Sequence, residues 1–345
     1  MKNKRNAFFA LLVALLVVSC QDHNLPLNPN RIQVTDFASG LKNPMAMDTD
    51  PQGRVWVAEV GTGQNDGQIS VILPGGFRFP VVIGFPSFFV PTEPFPVGLN
   101  HFLYISGKLH ILHANGMMYV ADVSQFNPGT SVPLLASNLP TENIGQFVIN
   151  HNFGAEDTGE SNPYNMTAGP NGNLYIVDAA ANAVIRRDLN GTLSVFATLP
   201  RFANPTNPMV GPPMIDPVPT GINYHGDGWF YVTTLTGFPF LPGRATVYRL
   251  GLNGVFSTFQ TGFTTLVDVE FADGVSGSLP LVVQFSNFGQ QGFQPNTGNV
   301  IMAHGNTTTN VVSGLNFPTD LDKASPNMYY INSMTDGTIK RITYQ

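Results

Sequence analysis

Charge is what this chain has least of. Asp, Glu, Lys and Arg together make up 11% of its 345 residues, against about 25% in an ordinary soluble domain. Exposed helices are normally dressed in Glu and Lys. So few charges, with Thr, Asn, Gln and Ser as the polar fill, argue against a helical protein and for an all-β one. Basic residues are scarcer still, with 16 Lys and Arg against 22 Asp and Glu and a net charge of −6. A groove that tracks phosphates needs the opposite balance, so no nucleic-acid partner is expected. Cys20 is the one cysteine, which leaves no intramolecular disulfide to form. The apolar run Phe8 to Val18 has about eleven residues, too few for the about 20 that span a bilayer core. Also missing are a Gly-x-Ser-x-Gly elbow, a Walker loop and a His-Glu-x-x-His helix, the usual signatures of nucleophilic, phosphate-binding and zinc-dependent enzymes.

What the chain has instead is turns and aromatics: 35 Gly, 28 Pro and 26 Phe. That aromatic content is too high for a disordered chain. The first 20 residues stand apart as an address. Lys2, Lys4 and Arg5 form a positive segment, the apolar run follows, and Val17-Val18-Ser19-Cys20 resembles the bacterial lipobox. In that motif the small residue before the cysteine admits signal peptidase and the thiol carries a diacylglycerol. The expectation is therefore a lipoprotein signal peptide over 1–20 and lipidation at Cys20. The acyl chains would hold the mature protein at a membrane outside the cytoplasm, on its periplasmic or cell-surface side. Residues 21–30 read as a polar tether of at most about 35 Å.

Residues 31–345 repeat a pattern. A Pro-led apolar strand runs through a turn into a second strand that ends in a polar residue, and further strands follow. Asn43-Pro44-Met45-Ala46-Met47 passes through Pro51-Gln52-Gly53 into Val55-Trp56-Val57-Ala58-Glu59. Asn162-Pro163-Tyr164-Asn165-Met166 leads likewise to Leu174-Tyr175-Ile176-Val177-Asp178, Val218-Pro219-Thr220-Gly221-Ile222 to Phe230-Tyr231-Val232-Thr233, and Phe317-Pro318-Thr319-Asp320-Leu321 to Met328-Tyr329-Tyr330-Ile331-Asn332. Weaker copies begin near Asn100-His101-Phe102 and Leu266-Val267-Asp268, making six units. Four short strands in each repeat of about 45–50 residues are the signature of propeller blades. The turns are too close to hold the crossover helices of a parallel sheet. The last unit has room for three strands, and Ile32 to Phe37 supplies a spare one. A single six-bladed β-propeller is therefore predicted over 31–345, with the N-terminal strand closing the last blade and covering its edge. Phe77–Pro96, Thr141–Glu160 and Arg201–Pro217 read as cap loops.

Further stretches stand out: Phe37-Ala38-Ser39-Gly40-Leu41 leading to Asn43-Pro44, Ser161-Asn162-Pro163-Tyr164 and Val218-Pro219-Thr220-Gly221. Leu235-Thr236-Gly237-Phe238-Pro239-Phe240 and Gly314-Leu315 before Phe317-Pro318-Thr319 belong with them. On these the chain resembles the ScyD/ScyE family of exported bacterial propellers, whose generic blade pattern is shared with NHL-like and lactonase-like proteins. The resemblance implies an exported six-bladed propeller and supplies no catalytic residues.

Inner strands of a propeller converge on its channel. Counting seven positions back from the Gly turns gives Ala46, Asn165, Gly221 and Asp320, and the weaker copies give His101 and Asp268. Asp268, Asp320, Asn165 and His101 would jointly suit a divalent cation such as calcium, and a metal with an open position would polarise a lactone or ester carbonyl. The same residues would equally serve channel waters and backbone amides. A second set closes the second strands: Glu59, His113, Asp178, Thr234, Gln284 and Asn332. Glu59 and Asp178, with the cap aromatics Phe238 and Phe240, are candidate ligand contacts. His110 and His113 are three apart on a strand and face opposite sides. The expected function is a monomeric, membrane-anchored, non-enzymatic module that binds a small molecule or a protein. The alternatives are a metal-dependent lactonase-like hydrolase at the channel mouth and an accessory factor in secondary-metabolite maturation.

Overall fold

The computed structural model describes residues 31–91, 93–273 and 278–344. The expected signal peptide, Cys20 and the expected tether lie outside them. Six small antiparallel sheets stand in a ring, and the inner strands touch in succession until the last returns to the first. The inner strands of blades one to six are Pro44–Thr49, Leu99–Ile105, Pro163–Ala168, Pro219–Tyr224, Leu266–Ala272 and Leu321–Ser325. The last blade takes its outer strand, Ile32–Ala38, from the start of the chain, in register from Ile32 opposite Tyr344 to Asp36 opposite Lys340, with a bulge before Ala38 opposite Ile339. The predicted closure is thus the observed one.

The second strands are apolar on both faces because each sheet is covered by a neighbour on either side. Val55–Glu59 is buried throughout, as is Leu174–Asp178. The core is accordingly divided among the blade interfaces. Trp56 and Ile69 of blade one meet Leu109 and Ile111 of blade two, and Tyr175 and Val177 of blade three meet Phe230 and Val232 of blade four. At the latch, Val55 and Val57 of blade one meet Tyr330 and Ile339 of blade six. Apolar burial at about 25 cal/mol per Å² holds such a ring together, and no single layer carries it.

The cap segments contain more regular structure than the sequence suggests. Phe77–Pro96 begins with the outer strand of blade one, Arg78–Phe85, which Leu134–Leu135 extends in parallel. Thr141–Glu160 supplies the outer strand of blade two, Thr141–Asn143, and then a helix, Ile144–Asn150, capped by the Asn143 side chain on Gln146 N. Arg201–Pro217 carries a two-stranded hairpin, and Phe288–Gly289 pairs with Gly292–Phe293 in another. No helix among the described residues is long and apolar enough to cross a membrane.

Candidate functional site

One local device builds the site. Each inner strand of blades one to five slips register near its start, between Pro44 and Ala46, Leu99 and Phe102, Pro163 and Asn165, Pro219 and Gly221, and Leu266 and Asp268. A bulge bends the strand and re-aims its side chains. Just upstream the backbone turns in blades one, four and five, where Asn43, Val218 and Thr265 hold positive φ of 51°, 51° and 42°, and Phe317 does the same at 50° before blade six. For bulky Val218 and Phe317 that conformation is costly, on the order of 1–3 kcal/mol, and must be held by its surroundings. The holding groups come from the strand ends and the turns beside them. Asn332 Oδ1 accepts from Thr319 N at 2.9 Å and Asp320 N at 3.0 Å, while Asn182 Oδ1 accepts from Val218 N at 3.1 Å.

The residues at the bulges, Met45, Asn100, Tyr164, Thr220 and Val267, together with Thr319 of blade six, floor a cavity of about 750 Å³ on the loop-bearing face. Its walls are largely aromatic and aliphatic, from Phe95, Leu235, Phe240, Phe285 and Phe293. Phe240 lies 4.9 Å from Phe293 between ring centres, and Phe293 lies 5.2 Å from Phe285. Among the polar lining groups, Thr236 is 1% exposed and its Oγ1 has no hydrogen-bond partner. Thr236 also sits at positive φ, 71°, which turns the backbone of the Leu235–Phe240 stretch at the cavity wall. Tyr164 reaches the sulfur of Met45 with its hydroxyl. Burial, reinforced by Asp268 and Asp320, holds that phenol well above its usual pKa.

Below this floor the structure brings His101, Asn165, Asp268 and Asp320 together on the axis. His101, Asp268 and Asp320 each offer a ligand atom within 4.8 Å of the others. His101 Nδ1 is 3.2 Å from the Tyr164 carbonyl, and its Nε2 stands 3.6 Å from Asp320 Oδ1 without a hydrogen bond. Asp268 accepts from Asn165 Nδ2 at 3.2 Å and from Leu321 N at 3.0 Å. Asp320 accepts from Met47 N at 2.5 Å. These bonds answer a need, since an innermost strand has an unpaired edge toward the channel and its N–H groups require acceptors. Gly221 occupies the equivalent place in blade four because a Cβ there would stand 2.7 Å from Asp268 Cα and 2.4 Å from Thr233 Oγ1.

Electrostatically the ring is strained. Burial raises Asp268 to about 6. It drives Asp320 well above the carboxylate range, helped by repulsion from Asp268 and Asp322 and by a hydrogen bond between the two carboxyls. Such a bond needs one shared proton. Burial pushes His101 down to about 4, so its imidazole is neutral; the nearby Thr319 and Tyr164 carbonyls oppose this only in part.

Sequence counting missed a second tier. Asp48, Glu270 and Asp322 lie two residues further along three of the same inner strands, where the period of a strand returns a side chain to the same face. Asp48 accepts from Tyr104 N at 2.6 Å, and Asp322 accepts from the Thr49 hydroxyl. Burial raises Glu270 to about 8 and Asp322 to about 6. Asp48 is raised well above the carboxylate range by burial, with repulsion from Asp322 next.

The other predicted contacts divide. Phe240 lines the cavity, and Phe238 stacks edge-on against it from a half-exposed position outside the lining. Glu59 and Asp178 are corrected to structural roles, for both are fully buried and committed internally. Glu59 accepts from Lys42 N at 2.8 Å and Ser70 Oγ at 2.5 Å, and pairs with Arg78 at 3.3 Å. Asp178 accepts from Asn162 N at 2.8 Å, Ser161 Oγ at 2.5 Å and Ala181 N at 3.0 Å. His113 Nε2, likewise buried, is 2.9 Å from the Pro86 carbonyl.

No protein-family model matches the chain, and no curated protein resembles it in sequence. Solved structures do resemble it in fold. Virginiamycin B lyase from Staphylococcus aureus is 13% identical, with a TM-score of 0.52 over 91% of this chain and 99% of that one. The PQQ-bound aldose sugar dehydrogenase from Streptomyces coelicolor is 12% identical, with a TM-score of 0.58 over 93% and 100%. A luciferin-regenerating enzyme is 9% identical, with a TM-score of 0.55 over 90% and 95%. Likeness at these identities extends to architecture and no further.

Proposed function

We propose that this chain is an extracytoplasmic, lipid-anchored propeller of the ScyD/ScyE type that binds a small, largely apolar molecule in the cavity above its channel without turning it over. The cavity carries the reading. It has the size of a small-molecule site and an aromatic wall, with polar groups set into it, Thr236, Asn100 and the carboxylates Glu93, Glu160 and Asp216 among them, the pattern by which proteins hold and orient such ligands. Phe240, Phe285 and Phe293 supply flat apolar surface for a ring system, and the unpartnered Thr236 hydroxyl supplies a directional hydrogen bond.

Binding is favoured over hydrolysis because the carboxylates that line the cavity, Glu93, Glu160 and Asp216, have no histidine, lysine or arginine beside them in the lining. Asp216 already accepts from Asn182 Nδ2 at 2.7 Å, and the axial groups lie below. His101, Asp268 and Asp320 are 2%, 5% and 6% exposed and sit beneath the floor residues, outside the cavity lining. A carbonyl in the cavity therefore faces Met45, Tyr164 and Thr319 first. General acid–base or metal-assisted attack needs the reacting group within hydrogen-bond reach. The membrane is the partner implied by Cys20 and the basic and apolar segments before it.

The test uses the protein expressed from Gln21 onward, which keeps every described residue. Neutral aromatic compounds and aryl glycosides are screened by thermal shift, and the recovered compounds are analysed by mass spectrometry. A ligand at 100 times its Kd adds about 2.7 kcal/mol of stability. The expected result is a rise in Tm that Phe240→Ala abolishes and Thr236→Val weakens, with the compound recovered intact. A shift unaffected by Phe240→Ala rejects the cavity as the site, and chemical conversion of the compound rejects the non-enzymatic reading.

A further inference from the structure

We propose that His101, Asp268 and Asp320 hold one divalent transition-metal ion on the propeller axis, where it ties blades two, five and six together. The proposal is independent of any cavity ligand. It begins with the imidazole. His101 is 2% exposed and its Nε2 has no partner, although Nδ1 is engaged by the Tyr164 carbonyl at 3.2 Å. With the Tyr164 carbonyl taking the Nδ1 proton, a lone pair is left on Nε2, to which the nearby Thr319 carbonyl makes no hydrogen bond. This is how metal-binding histidines are ordinarily oriented. The free Nε2 points at Asp320 Oδ1, 3.6 Å away, too far for a hydrogen bond. Two ligand atoms at about 2.1 Å from one ion stand about 3–4 Å apart, so this gap fits a bridging metal.

The donor set decides the kind of ion. Calcium takes six to eight oxygen ligands, and an imidazole nitrogen is foreign to such a shell. One imidazole with two carboxylates suits Mn²⁺ or Zn²⁺ better. Asn165, which donates to Asp268 at 3.2 Å, and Leu321 N at 3.0 Å orient that carboxylate from outside the shell. The ion's positive charge would relieve the repulsion between the Asp268 and Asp320 carboxyls, whose ligand oxygens lie within 4.8 Å of one another. Asp48, Glu270 and Asp322 further along the same strands form an acidic approach, and the Lys323 ammonium near them is occupied by Asp273 at 2.8 Å. Because the ring lies under the floor residues, the ion's role is that of a clamp between blades.

The experiment is equilibrium dialysis of the protein from Gln21 onward against Mn²⁺, with melting curves in Mn²⁺ and in EDTA and pulsed EPR of the bound ion. The proposal expects one Mn²⁺ per chain, a higher Tm with the ion than with EDTA, and ¹⁴N modulation from a coordinated imidazole. Asp320→Asn, which keeps an acceptor for Met47 N, and His101→Gln each weaken binding by about 10- to 100-fold. Absence of stoichiometric binding at millimolar Mn²⁺ overturns the proposal. So does displacement by an equal concentration of Ca²⁺, or unchanged affinity in both variants. Should a variant fail to fold, the ¹⁴N signal of the parent decides, and a bound ion without it refutes the assignment.

Discussion

Replacing Glu270 by Gln should stabilise this protein, and by an amount that grows with pH. Glu270 lies on the inner strand of blade five, where burial, ahead of repulsion from Asp322 and Asp268, raises its carboxyl from 4.5 to about 8. A carboxyl whose native pKa is raised favours the fold while protonated. That contribution is complete below the unfolded value and is lost as pH rises through the folded one. One pKa unit is worth about 1.4 kcal/mol, so relative to a neutral side chain the ionisable group costs the native state about 1 kcal/mol at pH 5 and about 4 kcal/mol at pH 8. Glu270 keeps some accessible surface, and solvation there makes both figures ceilings. Gln preserves the acceptor for Phe271 N, now met at 2.7 Å, and has nearly the same shape. The assay is denaturant unfolding of parent and variant at pH 5 and pH 8 in EDTA, so that no cation compensates the channel carboxylates. The variant should gain at both pH values and gain clearly more at pH 8. An equal gain at both, or a loss at pH 8, would refute the reasoning.

Three further outcomes test the fold and its address. Gly221→Ala forces a Cβ to 2.7 Å from Asp268 Cα, and overpacking of this kind should cost about 1–3 kcal/mol in denaturant midpoint analysis; an unchanged midpoint would show that blades four and five can separate freely. Deleting Arg31 to Ala38 removes the outer strand of the last blade, with the Phe37 ring that packs 4.5 Å from Tyr330. The whole ring should then melt earlier in one transition, and a truncated chain melting like its parent would contradict the latch. Cys20→Ala should abolish detergent-phase partitioning of the precursor, and continued partitioning would reject the lipobox.

The fold was legible because its units are locally explicit. A Pro-led strand, a Gly turn and an all-apolar second strand recur, and a last unit one strand short finds its complement in Ile32 to Phe37. Thr141-Glu142-Asn143 could not be recognised as an outer strand, since Glu142 and Asn143 disfavour strands, one Thr is too little signal, and their pairing with Tyr119, Met118 and Met117 is set by tertiary context. The residues now seen around the axis came from counting along the strands. Asp48, Glu270 and Asp322 were overlooked because the count stopped at one position per strand when the period of two demanded the next. Glu59 and Asp178 were misassigned for a different reason. A carboxylate at a strand end reads alike whether it faces a ligand or a backbone N–H, and only the path of the chain through Lys42 and Asn162 distinguishes them.

Converging inner strands aim one imidazole and two carboxylates at a common point on the propeller axis. Anomalous diffraction at the manganese edge, on crystals grown with Mn²⁺, measures that directly. One peak is expected, between His101 Nε2 and the carboxyl oxygens of Asp268 and Asp320. A map with no peak there, or with its peak among Asp48, Glu270 and Asp322 instead, would contradict it.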